Sequence, residues 1–172
     1  MVPVNVYSLI ITEPPAPSLL LLCPDEDTVG KAQIRVIPIL IGATEAAQIG
    51  AALKGVRMER PSTHDLFMDA LTNLDTLVSR VEIDKVEGKS FFSTLFLREE
   101  GREIALDARP SDSVSLALRQ NAPILIGERV MEETAHLLSV KEKGEGADLA
   151  EFHSFIEGIS PDDFIENEDK GE

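Results

Sequence analysis

The chain has 172 residues, 43% of them hydrophobic, with one cysteine and a formal charge of -15. A single domain of this length buries about 70% of its unfolded surface and needs no disulfide or metal staple, and the lone Cys23 excludes an intramolecular disulfide framework. The charge excludes a basic nucleic-acid surface spread over the whole molecule, because polyanions are held by lysines and arginines that displace counterions from phosphates.

Taken in chain order, Val2, Val4 and Val6 alternate with Pro3 and Asn5 ahead of an apolar stretch to Ile11, which predicts a first strand with one covered face. The run 19–23 and the β-branched stretch 32–41, interrupted at Pro38, complete a first group of three strands. Thr44 as cap and Glu45 in the first turn predict a helix over 44–54. Ser62 and Asp65 have the spacing of a capping box, with Leu66, Phe67, Ala70, Leu71 and Leu74 on one face of a second helix that ends near Asn73.

The segments 77–86, 90–97 and 103–106, separated by glycine-containing turns, read as a three-stranded meander. Ser111 is the expected cap of a third helix, 123–127 a short closing strand, and 128–138 a fourth helix carrying His136. Strands and helices without strict βαβ alternation make the expected class α+β, with a mixed, largely antiparallel sheet and packed helices. The main domain is expected over 1–138, followed by a linker at 139–147, a docked amphipathic helix at 148–165 carrying His153, and an acidic tail at 166–172. Residues 141–172 hold 11 acidic and 3 basic side chains, the composition of a solvated end. No basic region opens a secretory signal, and the run 19–23 is too short to span a bilayer, so the expectation is a cytoplasmic protein with no membrane contact.

Chemistry concentrates at two similar helix entrances, Arg60-Pro61-Ser62 and Arg109-Pro110-Ser111. Proline presets the approach, serine caps, and the first-turn amides with the positive end of the helix dipole favour an anion. An arginine just upstream adds a bidentate grip on phosphate, unless it pairs with a neighbouring carboxylate. Glu45, His64, Asp65, Asp107 and Asp112 stand near predicted element ends, where oxygen and imidazole ligands converge on Mg²⁺ or Mn²⁺ if the fold gathers them. Taken singly, the first-turn acids equally well stabilise their helices, and His64 is either a proton carrier or a capping residue. There is no GxGxxG, P-loop, HExxH, GxSxG or CxxC pattern.

Three longer motifs, PILIGATEAAQIGAAL at 38–53, RPSTHDL at 60–66 and LDARPSDSVSLALRQNAPILI at 106–126, resemble the bifunctional nuclease family, and EFHSFIEGISPDDF at 151–164 is similar to a segment common near the carboxyl end of its members. Leu40, Ser62 and Phe92 depart from that pattern without removing a candidate ligand. The resemblance implies an α+β fold, a wedge-shaped homodimer with a large groove, and cleavage of both DNA and RNA. The residues it carries over are Glu45, Arg60, His64, Asp65, Asp107, Arg109, Ser111, Asp112 and Arg119.

The resulting expectation is a metal-assisted phosphodiesterase. His64, Asp65, Asp107 and Asp112 are its catalytic candidates, Arg60, Arg109, Ser111 and Arg119 bind phosphate, and Glu45, Asp107 and Asp112 hold Mg²⁺ or Mn²⁺. Nucleic acid is then bound weakly and without sequence preference. The competing expectation is a non-catalytic module that holds a small anion or a partner's carboxylate at the same entrances.

Overall fold

The computed structural model describes residues 1–13, 15–27, 32–56 and 58–139. The linker, docked helix and acidic tail expected beyond Ser139, with His153, lie outside the described residues.

Strands β1 (Val2–Ile10), β2 (Ser18–Pro24) and β3 (Gln33–Ile41) form an antiparallel meander, and β4 (Thr76–Glu87), β5 (Ser90–Glu99) and β6 (Arg102–Ala108) form a second. The strand β7 (Ile124–Ile126) joins them, pairing parallel to β4 and antiparallel to β1. With β8 (His136–Ser139) on the far side of β3, the order in the eight-stranded sheet is β6-β5-β4-β7-β1-β2-β3-β8. This is the mixed, largely antiparallel α+β architecture expected from the pattern of runs. The short 123–127 run closes nothing at an edge; it is the seam between two meanders.

Local chemistry explains these elements. β2 is apolar throughout because it is buried at every position, whereas β4 and β5 alternate as strands with one covered face do. At the β5–β6 turn Glu100 and Gly101 both have positive φ, 47° and 83°, the conformation a two-residue hairpin requires. β3 runs unbroken through Pro38, because β8 pairs only with residues 33–36 and the outer side of the strand beyond them is an open edge among the described residues, where a missing N–H is tolerated. The core is a continuous cluster that includes Leu20, Leu22, Ile37, Ile49, Ile83, Val114 and Ile126, each nearly inaccessible. Each such side chain contributes about 1.5–3 kcal/mol by its burial.

Four helices complete the fold: α1 (Ala43–Leu53), α2 (Thr63–Asn73), α3 (Pro110–Gln120) and α4 (Glu128–Thr134). Three boundaries differ from the sequence expectation. Gly42, extended at φ -70° and ψ 159°, is the N-cap of α1, and Thr44 is already inside the helix. Arg109 is the N-cap of α3 with Pro110 in the first turn, so Ser111 is a buried helical residue and not the cap. The fourth helix ends at Thr134, because His136 and its neighbours pair with the open edge of β3; His136 is an exposed strand residue.

Backbones approach closely where α4 begins. A Cβ on Gly127 would stand 3.3 Å from the Asp84 Cα, and the Gly127 N–H donates to the Ile83 carbonyl at 2.9 Å. No helix among the described residues is long and apolar enough to cross a membrane.

Candidate functional site

The sheet curls until the end of β3 faces the adjoining ends of β5 and β6, although four strands separate β3 from β5 in the order. Helices α1 and α3 leave from those ends, and α2 packs beside α3. The first turns of all three helices therefore meet. Each contributes an acid, Glu45, Asp65 and Asp112, which offsets the positive ends of three helix dipoles.

Arg109 is the hub. Its Nε donates to Asp112 Oδ2 at 2.8 Å and its Nη1 to Glu45 Oε1 at 3.1 Å, yet 67% of the side chain is exposed. Asp112 Oδ1 also lies 3.2 Å from His64 Nε2, while His64 Nδ1 is buried without a partner. A carboxylate only accepts, so His64 donates its Nε2–H to Asp112, and its other ring nitrogen faces the interior. His64 therefore holds Asp112 and presents no free nitrogen to the solvent side.

A second cluster lies deeper. Arg119, only 10% exposed, donates from Nε to Asp65 Oδ1 at 2.8 Å, from Nη1 to Ser115 Oγ at 2.6 Å and from Nη2 to Gln48 Oε1 at 3.2 Å. It ties α3 to α2 and α1. Asp65 closes the expected capping box with Ser62, accepting the Ser62 N–H and hydroxyl on Oδ2. The Arg119 bond first, then the Ser62 hydroxyl, hold the Asp65 carboxyl at about 2, below its ordinary 3.8.

A folded-state value below the unfolded one stabilises the fold fully above about pH 4, and this contribution disappears as the pH falls through about 2. We expect a loss of about 1–2 kcal/mol across that window. In urea titrations at several pH values, Asp65→Asn should show a correspondingly shallower acid dependence than the wild type; an identical slope would remove Asp65 from acid unfolding.

Two clefts open on either side of Arg109. One, of about 480 Å³, lies between the end of β3 and Lys89, Phe91, Phe92 and Ser111. The other, about 710 Å³, lies between α1, α2 and β6 and includes His64, Phe67 and Leu106. Glu45, Asp107, Ala108 and Arg109 belong to both. Asp107, exposed at the end of β6, has no hydrogen bond to the cluster among the described residues.

The structure thus gathers Glu45, His64, Asp107, Arg109, Ser111 and Asp112 around the clefts and sets Asp65 and Arg119 behind them. Arg60 is exposed, lines neither cleft, and has no ion pair to the cluster among the described residues, so the two arginine entrances do not line one cleft. The residues expected to hold Mg²⁺ or Mn²⁺ do not fit that role as arranged. No three His, Cys, Asp or Glu side chains converge among the described residues, and the guanidinium of Arg109 bridges Glu45 and Asp112.

Three supporting residues were not legible as functional. Ser93 donates to the Ala108 carbonyl at 2.6 Å and lies 2.6 Å from the Ser113 hydroxyl, which bonds the Arg109 carbonyl at 3.0 Å. These two buried serines pin the turn that presents Arg109. Gly42 is the third. A Cβ there would stand 2.3 Å from Glu45 Oε2, so the absent side chain is what lets Glu45 fold back toward Arg109. Gly42→Ala is expected to swing Glu45 off Arg109 while shifting the melting temperature by only a few degrees, since its φ suits any residue. A crystal structure of the variant with Glu45 unmoved would refute this.

Comparison with known proteins places this geometry among relatives. A family model described as bifunctional nuclease domain matches residues 29–139, a span that includes every site residue from Glu45 to Arg119. An uncharacterized protein of Mycobacterium tuberculosis (strain ATCC 25618 / H37Rv) is 39% identical over 137 residues, covering 76% of this chain and 81% of its own length. Bifunctional nuclease 1 of Oryza sativa subsp. japonica is 29% identical over 98 residues, 55% of this chain and 30% of the rice protein. Bifunctional nuclease 1 of Arabidopsis thaliana is 26% identical over 96 residues, 54% of this chain and 30% of that protein.

Proposed function

The chain belongs to the bifunctional nuclease domain family, and from that premise we propose that it hydrolyses phosphodiester bonds of DNA and RNA where the two clefts meet. The observation that carries the reading is the exposed Arg109 guanidinium, held from behind by Glu45 and Asp112 at the wall common to both clefts. Arg109 takes a non-bridging phosphate oxygen and stabilises the charge that develops there. Asp107 accepts a proton from water as that water attacks phosphorus and the bond to the leaving oxygen breaks; the departing oxygen takes a proton from solvent and Asp107 returns its own to solvent, restoring the carboxylate. His64 and Asp112 orient Arg109; Asp65 and Arg119 hold the helices in register behind it.

Arg109 is the arginine lining both clefts, and the acids at the three helix starts offset much of the positive field there, so affinity for the polyanion is low and falls as salt rises. The reading includes a cytoplasmic setting, in keeping with the buried single thiol of Cys23, and a homodimer, in keeping with the exposed Leu53, Val56 and Met58. Sedimentation of the purified protein tests the dimer: a monomer at micromolar concentration would remove it.

The test of function is cleavage of supercoiled plasmid and single-stranded RNA by matched preparations of wild type and Asp107→Asn, in Mg²⁺, Mn²⁺ or EDTA. Cleavage by the wild type and its loss in the variant support the proposal, and equal cleavage by both would overturn it. EDTA-resistant cleavage fits Arg109 as the charge that meets the phosphate; EDTA-sensitive cleavage would mean that the carboxylates release Arg109 in favour of an ion. Anion binding without cleavage by either protein would favour the non-catalytic module.

A further inference from the structure

Resting on that reading, we infer that the larger cleft is a nucleobase subsite and that the bond cut is an internal phosphodiester, with one nucleoside in this cleft and the strand continuing into the smaller one. Leu95 and Leu116, 2% and 6% exposed, lie deep in the cleft, while Phe67 and Leu106 are each 37% exposed on its walls. Single exposed apolar residues are ordinary. Here two of them line one concavity that shares a wall with an exposed guanidinium, the combination that a base next to a phosphate requires.

The placement follows from the elements. Phe67 stands three residues after His64 on α2, so the ring lies on the helix face that also reaches Asp112 and Arg109. Leu106 pairs across the sheet with Leu95, which gives the cleft a continuous apolar surface. A volume of about 710 Å³ falls within the range of ordinary small-ligand sites. Gln48 Oε1 is already taken by Arg119, and the polar groups of Thr44 and Thr63 lie at the starts of α1 and α2, so the apolar surface of Phe67 and Leu106 carries the contact with the base by stacking. Stacking is tolerant of sequence. Because both clefts share Glu45, Asp107, Ala108 and Arg109, a strand with its phosphate on Arg109 has room on either side, whereas a strand end would fill only one cleft.

The experiment has a binding arm and a cleavage arm. In calorimetry, adenosine 5′-monophosphate is expected to bind about tenfold or more tightly than ribose 5-phosphate, and Phe67→Ser to erase the difference while leaving inorganic phosphate binding unchanged. Phe67→Leu, which keeps an apolar wall, should fall between them and guards against a folding defect in the serine variant. Equal affinity of the wild type for the two ligands would overturn the subsite. In the cleavage arm, circular single-stranded DNA is cut as readily as its linear form; an uncut circle beside a degraded linear strand would overturn the internal cut. If neither is cut, the nuclease reading fails on its own, and the binding arm still decides the subsite.

Discussion

Asp107→Asn is expected to lower kcat by a factor on the order of 10²–10⁴, the usual contribution of a positioned general base. The amide keeps the shape of the side chain but accepts no proton at neutral pH. Asp107 is exposed at the end of a strand and makes no ion pair to the cluster among the described residues, so the substitution should leave stability within about 0.5 kcal/mol of the wild type. KM should change little, because the residue acts on water and not on the phosphate. Initial rates across a substrate range, with a urea titration as the folding control, check this. An unchanged kcat would move the base elsewhere in the clefts.

Arg109→Ala is expected to cost on the order of 10²–10³-fold in kcat/KM, comparable to removing one preorganised donor from a developing oxyanion. Removing the guanidinium also leaves Glu45 and Asp112 facing the phosphate unneutralised, so the variant should bind nucleic acid more weakly as well as turn over more slowly. Lysine should not rescue it fully. A point charge cannot reproduce the two simultaneous contacts, Nε to Asp112 and Nη1 to Glu45, that fix the guanidinium plane. Rates and binding isotherms of both variants at two salt concentrations test the argument, and a lysine variant of wild-type activity would reduce Arg109 to a diffuse positive charge.

Much of this molecule was legible in advance because its cues are local. The glycine-containing turns at 88 and 101 marked the meander, and the Ser62–Asp65 spacing marked the capping box that the structure contains. The misreadings share a cause. Ser111 and Thr44 are capping residue types, but proline after Arg109 and the extended Gly42 start each helix earlier. The stretch 136–139 carries apolar residues that fit a helix end or a strand, and only the open edge of β3 decides between them. Arg60 and Arg109 sit in near-identical motifs, yet one lies off the clefts and the other between them.

The amino-acid sequence by itself determined the element types up to Thr134, the α+β class and the residues that could carry charge at helix entrances, since turn chemistry, hydrophobic period and capping act over a few neighbouring residues. Tertiary structure alone decided which of those charges meet. The contacts that make the site join residues 64, 54 and 48 positions apart, Glu45 with Arg109, Asp65 with Arg119 and His64 with Asp112. No local pattern encodes them; they exist because a curled sheet brings the starts of three helices together, and a carboxylate buried partway beside an arginine is stable only when that geometry is already in place.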